Sequence, residues 1–426
     1  MKTTSPFHTL IKPIGAKCNL DCSYCFYLEK ENLYSKKSDF KLTQEILEKF
    51  IPEYIEANYQ LSNEVNFGWQ GGEPTLRGLD FFEEAILIQT KYQRPGLTIT
   101  NSIQTNGVLI DDKWAKFLKE NQFLVGISID GPEDLHDLYR VDKAGKGSFK
   151  AVESAIKLLT QFGVEFNTLT VVNSVNAEHP QRVYDHLKST GSKFIQFIPI
   201  VDMAEYQNPC EMISGQSKRV LPHSVSPKKW GEFLMGVFSS WIKSRDVGEI
   251  FIQQFDMRLA TMMDYPATIC VHAKYCGRSV AMEHNGDIYS CDHYVSEDYL
   301  LGNIEKDQLA DMVNSEFQNK FGFDKFDTLP TQCLKCEFLK SCYGTCPKDR
   351  ILTTKDGDEN LAYLCRGYID FFTQTKPTFM KMKKAIESGG LASDILEEGK
   401  KSTQKISKND PCPCGSKKQF KRCCGK

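Results

Sequence analysis

The sequence predicts an α/β fold in which short strands alternate with helices, followed by a smaller cysteine-rich unit. Three observations carry that reading. Residues 8 to about 255 alternate β-rich runs with helical stretches, the pattern of parallel βα units. Glycine-containing motifs follow directly on several of the β-rich runs. Fifteen of the sixteen cysteines fall in groups with short, fixed spacings, and only Cys210 stands alone.

Taken in order, strands are expected at residues 8–14, 64–69, 97–104, 123–130, 164–172, 193–199 and 249–255. Helices are expected at 43–59, 81–92, 111–121, 148–162 and 228–244. Such alternation builds a full or partial (β/α) barrel, or a doubly wound sheet. Gly71-Gly72-Glu73-Pro74, Gln104-Thr105-Asn106-Gly107 and Ser128-Ile129-Asp130-Gly131 each follow a strand, so they share one rim, and barrels build their sites on that rim. Residues 270–365 read as a metal-stabilised unit of short elements, with a hairpin over 283–289 turning on Asn285-Gly286. Residues 376–408, rich in Lys, Ser and Glu, suggest a helix and a linker, and a compact cysteine-rich tail closes the chain. The expected units are therefore 1–250, 251–375, 376–408 and 409–426.

Apolar residues make up 41% of the chain and charged residues 25%, an ordinary globular balance, and the formal net charge of -2 gives no electrostatic reason to expect nucleic acid. The first residues lack the apolar stretch of a signal peptide, and no run is long enough to span a bilayer, so a cytoplasmic protein is expected. In a long chain of that kind, clustered cysteines point to metal ligation rather than disulfides.

Cys18-x3-Cys22-x2-Cys25 supplies three thiolates, one fewer than a cubane iron–sulfur cluster needs. The iron left open suits chelation by the amino and carboxylate groups of S-adenosylmethionine, which an electron then cleaves to a 5′-deoxyadenosyl radical. A structural zinc site would take a fourth protein ligand and has no redox role. Through Cys-Asn-Leu-Asp-Cys-Ser-Tyr-Cys-Phe and Gly71-Gly72-Glu73-Pro74 the chain resembles the radical S-adenosylmethionine superfamily. The resemblance implies a partial (β/α) barrel of that type. It also implies that Gly71, Gly72 and Glu73 hold the cofactor's amino group through backbone carbonyls, with Ser128 and Arg140 on its carboxylate.

Farther on, Cys270, Cys276 and Cys291, with Cys333, Cys336, Cys342, Cys346 and Cys365, give thiolates enough for two fully ligated clusters or, by count alone, two zinc sites. This stretch resembles the SPASM domain, which carries two auxiliary [4Fe–4S] clusters, making three in all. The resemblance assigns Cys270, Cys276, Cys291 and Cys346 to the first and Cys333, Cys336, Cys342 and Cys365 to the second.

Within that group the chain is similar to the anaerobic sulfatase-maturating enzymes, over residues 8 to about 372. The carriers are Leu-Ile-Lys-Pro at 10–13, Cys-Phe-Tyr at 25–27, Gln-Gly-Gly-Glu-Pro-Thr-Leu at 70–76, the motifs at 104–107 and 128–132, and Cys-Asp-His-Tyr at 291–294. The resemblance implies oxidation of a Cys or Ser in a nascent or unfolded sulfatase to Cα-formylglycine. A hydrogen leaves the substrate Cβ, a base takes the thiol or hydroxyl proton, and an auxiliary cluster takes one electron. Asp292 is the expected base, Tyr27 and Gln70 are expected to hold the peptide, and a flavodoxin or ferredoxin is the expected electron donor. The alternative activity is another SPASM peptide modification, a thioether or cross-link.

Cys412-x-Cys414-x8-Cys423-Cys424 sets four soft ligands in a short basic segment, which fits tetrahedral zinc. It resembles the SEC-C motif, which implies a docking role for the tail, and its partner is not named by the sequence.

Overall fold

The computed structural model describes residues 5–35, 38–59, 61–205 and 218–397, with Gln419 and Arg422. Its strands in chain order are β1 His8–Ile11, β2 Glu64–Trp69, β3 Thr98–Thr105, β4 Leu124–Ser128, β5 Phe166–Val172, β6 Phe194–Pro199, β7 Met203–Glu205, β8 Lys218–Val220, β9 Phe251–Ile252, β10 Ser279–Met282, β11 Asp287–Tyr289 and β12 Leu300–Asn303. Ten of them form one sheet in the order β12-β11-β10-β1-β2-β3-β4-β5-β6-β9. From β10 through β1 to β9 every neighbouring pair is parallel. The ends β12 and β9 are not paired to each other, so the barrel is partial. β7 and β8 form a separate antiparallel pair.

Local chemistry fixes the helices between the strands. Thr43 caps helix Gln44–Asn58 by accepting from the Ile46 N–H, Asp111 caps Asp112–Glu120 through Trp114, and Ser226 caps Pro227–Lys243 through Lys229. Each cap satisfies a backbone donor that the first turn leaves free. The apolar faces meet the sheet in one continuous core, where Phe50, Phe67, Trp69, Phe82, Val125 and Ile127 are all fully buried. That burial, at roughly 25 cal/mol per Å² of apolar surface, is the main support for the rim above it.

One expectation changes. The strand expected over 249–255 is confined to Phe251–Ile252, because Gln253–Met262 is helical and buries Phe255, Met257 and Arg258 on one side. The sheet continues past residue 250, where β10 pairs with β1 in register His8↔Ser279 to Ile11↔Met282. The hairpin turning on Asn285-Gly286 is present as β10–β11, with Gly286 at φ 84°. The long C-terminal helix begins at Cys365 and runs to Glu387, continuing through Pro377. Among the described residues no helix is long and apolar enough to cross a membrane. Cys210, Cys412, Cys414, Cys423 and Cys424 lie outside the described residues.

Candidate active site

The loop after β1 carries Cys18, Cys22 and Cys25, and the loop after β2 is stitched to it. Gln70 N–H donates to the Ile11 carbonyl (2.9 Å), Gly72 N–H to Gly15 (2.8 Å) and Glu73 N–H to Lys17 (2.8 Å). Glycine is required here. Gly71 sits at φ 142°, a Cβ on it would lie 2.8 Å from the Gly15 carbonyl oxygen, and one on Gly72 would overlap the Lys17 carbonyl.

Glu73 is 1% exposed, and its carboxylate is committed within the protein. One oxygen accepts from Thr75 N–H (3.0 Å), Thr75 hydroxyl (2.6 Å) and Thr105 hydroxyl (2.7 Å); the other accepts from Asn106 N–H (2.7 Å). Burial pushes this carboxyl up even so. Glu73 therefore ties the loop after β2 to the loop after β3, leaving the loop's backbone carbonyls, not its side chain, for a ligand. Asn106 reaches on to Asn19 (2.8 Å) and to the Cys18 sulfur (3.7 Å).

On the next strand Ser128 ends β4, and two residues on the fully buried Asp130 accepts from Arg140 Nε (3.1 Å) and from the Tyr24 hydroxyl. Arg140 is buried too, and Cys22 feels its charge. The guanidinium is thus fixed beside the cysteine loop, 5.6 Å over the Tyr24 ring.

Asp292 lies one residue after Cys291, on the turn following β11. Its carboxylate is paired with the Lys12 ammonium, and Gln70 beside it also favours the ionised form. Lys12 is 1% exposed and stands 4.4 Å over the Tyr27 ring, and the Tyr27 hydroxyl donates to Glu283. Burial pushes the Asp292 carboxyl up, but Lys12, His293 and Gln70 outweigh it and leave it below the ordinary range. The structure thus brings together Asp292, Gln70 and Tyr27. Tyr27 is buried, its ring lies against Lys12 and its hydroxyl hydrogen is committed to Glu283.

The remaining thiols gather as two groups. A cavity of about 210 Å³ is lined by Cys333, Cys336, Cys342 and Cys365 with Tyr368 and Phe372. Cys270, Cys276, Cys291 and Cys346 form the other group, in which Cys270 raises each of the other three electrostatically. Burial pushes Cys18, Cys346 and Cys365 up to about 12 and Cys22 and Cys333 to about 11, so a metal must displace protons from them. A walled ring of four soft thiols fits a group of several atoms. Among the described residues no three His, Cys, Asp or Glu side chains are gathered tightly enough for a single ion.

Three family descriptions match the chain: the radical SAM superfamily over residues 13–187, an iron–sulfur cluster-binding domain (SPASM) over 270–337, and the SEC-C motif over 409–426. The serine-type anaerobic sulfatase-maturating enzyme of Bacteroides thetaiotaomicron is 45% identical over 405 residues, 94% of this chain and 97% of that one. The chain belongs to the anaerobic sulfatase-maturating enzymes. The cysteine-type enzyme of Clostridium perfringens is 36% identical over 384 residues, 90% of this chain and 100% of that one. The solved structure of native anSMEcpe with bound AdoMet and Cp18Cys peptide superposes with a TM-score of 0.76 at 34% identity, covering 89% of this chain and 99% of that one.

In this sulfatase-maturating enzyme, motif reading passed over three residues of the site. Lys12 stands there only as part of Leu-Ile-Lys-Pro, Asn106 only as part of the rim motif at 104–107, and Glu283 only at the start of a hairpin. A lysine fully buried at the end of a parallel strand was the one signal available, and it becomes visible only once the strand's neighbours are known.

Proposed function

We propose that this radical SAM oxidoreductase oxidises an active-site Cys or Ser of a sulfatase polypeptide to Cα-formylglycine without oxygen. When bound, S-adenosylmethionine and the clusters supply the radical that takes the substrate Cβ hydrogen and the sink for the second electron. Cys18, Cys22 and Cys25 hold the first cluster; Cys270, Cys276, Cys291 and Cys346 hold the second and Cys333, Cys336, Cys342 and Cys365 the third. The carbonyls of Gly71, Gly72 and Glu73 take the cofactor's amino group, and Ser128 and the free edge of the Arg140 guanidinium take its carboxylate. Asp292 accepts the thiol or hydroxyl proton of the substrate at a carboxylate oxygen, Lys12 keeps that carboxylate ionised and oriented, and Gln70 orients it and the peptide. Tyr27 fixes Lys12.

The observation that carries the reading is the Lys12–Asp292–Gln70 constellation, formed where the rim of the barrel meets the turn beside Cys291. A flavodoxin or ferredoxin supplies electrons, the chain works in the cytoplasm on unfolded substrate, and the tail of residues 409–426 binds one zinc ion through Cys412, Cys414, Cys423 and Cys424 and docks a partner.

The test separates radical generation from product formation. In Asp292→Asn the shape is kept and the proton acceptor is lost. Reductive cleavage of S-adenosylmethionine to 5′-deoxyadenosine is expected to survive, while aldehyde formation in a sulfatase peptide falls by about a hundredfold or more, the scale of a lost general base. Near-normal aldehyde yield with intact clusters would remove Asp292 from the mechanism.

A further inference from the structure

Away from the reacting centre, the cysteine-rich unit buries two cations for which the proposed chemistry has given no role. Lys325, on helix Glu316–Asp327, is 1% exposed, and its ammonium donates to the carbonyls of Cys270 (2.6 Å), Val271 (3.1 Å) and Ala273. Arg350, 6% exposed, donates to the carbonyls of Gly344 (2.9 Å), Lys325 (2.7 Å), Tyr343 (2.8 Å) and Thr345 (3.2 Å). Every acceptor is a neutral carbonyl. Among the described residues neither cation forms an ion pair, and the neighbouring Asp349 is taken by Lys348 at 2.6 Å. A buried charge whose only partners are neutral is costly, and an anion nearby offsets that cost.

The groups able to answer are thiolates. Lys325 clamps the segment that begins at Cys270, and Arg350 clamps residues 343–345, the link between Cys342 of one thiol group and Cys346 of the other. Cys276, Cys270 and Cys346 act electrostatically on Lys325, whereas Arg350 feels Cys333 and Cys342 from one group and Cys346 and Cys276 from the other. The bond from Arg350 to the Lys325 carbonyl joins the two clamps.

We infer that Lys325 and Arg350 are the fixed counter-charges of the two auxiliary clusters, Lys325 serving the Cys270 group and Arg350 shared between both, and that they raise the clusters' reduction potentials. This rests on the reading that the eight thiols hold two [4Fe–4S] clusters. Aldehyde formation removes one electron from the substrate carbon radical, while the thiol or hydroxyl proton goes to Asp292. The electron leaves its acceptor one charge more negative, and a fixed cation beside that acceptor favours the more negative state. The cations therefore bias the unit toward taking electrons from substrate.

The test is a spectroscopic redox titration of the full-length, anaerobically reconstituted protein. Iron and sulfide are counted first on the unaltered chain; fewer than two auxiliary clusters there would sink the cluster reading itself, separately from the counter-charge. Lys325→Gln and Arg350→Gln keep a hydrogen-bond donor and remove the charge. Lys325→Gln is expected to lower one auxiliary potential and Arg350→Gln both, by about tenfold in the equilibrium constant, or ~59 mV for a one-electron couple. Lys325→Arg and Arg350→Lys are expected to stay near the unaltered values. Unchanged potentials in both glutamine variants overturn the inference. Where a glutamine variant loses its cluster or its fold, retention in the charge-keeping variant supports the inference, and loss in both overturns it in favour of shape alone.

Discussion

Replacing Glu73 by Gln tests whether the loop after β2 is held by a carboxylate or merely by its glycines. The carboxylate receives four donors, three on one oxygen and one on the other. A glutamine has one oxygen to offer. Turned toward Thr75 and Thr105 it keeps three bonds, but its NH2 then meets the Asn106 N–H donor to donor. Turned the other way it faces the Thr75 N–H, which cannot rotate, and two hydroxyls, which can. The better pose leaves one buried donor unsatisfied, a cost of about 1–3 kcal/mol, with a further loss because bonds to a charged acceptor weaken to neutral ones. Removing a buried charge offsets part of this, since burial already pushes the Glu73 carboxyl up. A net loss of roughly 1–2 kcal/mol in the aligned loop corresponds to about 5- to 30-fold weaker binding of S-adenosylmethionine. Equilibrium binding of the cofactor to the reconstituted variant reads this directly, and 5′-deoxyadenosine formation at saturating cofactor should recover. Unchanged affinity, with the N-terminal cluster intact, would refute the reasoning and leave Glu73 a passive core residue.

Replacing Cys18, Cys22 and Cys25 together by Ala should leave two [4Fe–4S] clusters of three by iron and sulfide analysis; iron confined to the N-terminal site of the unaltered protein, with zinc at the other eight thiols, would contradict it. Truncation before Ser407 should preserve turnover of a free peptide and lower zinc by one equivalent; lost turnover in a folded truncation would show the tail to be part of the site. His136 is fully buried between the Asp130 N–H and the Ser148 hydroxyl, and burial holds its pKa well below 6.5. Below about pH 6.5 the unfolded chain takes up a proton there that the folded one does not, so stability falls as pH falls, by about 1.4 kcal/mol per pH unit for this one group. His136→Gln should shallow that slope in denaturant unfolding between pH 7.0 and 5.5, and an unchanged slope would refute the assignment.

The rim was legible in the sequence because strand-following motifs report it locally: Gly71, Asn106 and Asp130 each lie just past a run of alternating apolar residues. The residues that complete the site were not. Lys12 and Asp292 are 280 positions apart, and their pairing depends on β10 lying beside β1, which a four-residue strand reading Ser-Val-Ala-Met does not announce. Nothing in the sequence marks Lys325 and Arg350, whose burial shows only in the fold. The motif at 71–74 pointed to backbone carbonyls, and the separate work of the Glu73 carboxylate, tying two loops together through four donors, shows only in the fold. The over-long strand at 249–255 failed for the opposite reason: apolar residues there serve a helix face, and a short apolar run does not tell strand from helix.

The adjacency of β1 and β10 also has a meaning for synthesis. The first strand is made long before residues 279–282, and until they arrive one of its edges has no partner. Until then that edge offers its N–H and C=O groups to any other strand, and Lys12 has no carboxylate from Asp292 to answer its charge. A released fragment ending near residue 250 would carry both liabilities, an open edge and an orphaned ammonium. The Lys12–Asp292 pair is therefore completed only after the rim loops at 70–74, 104–107 and 128–131, which precede Asp292 in the chain, have already been made.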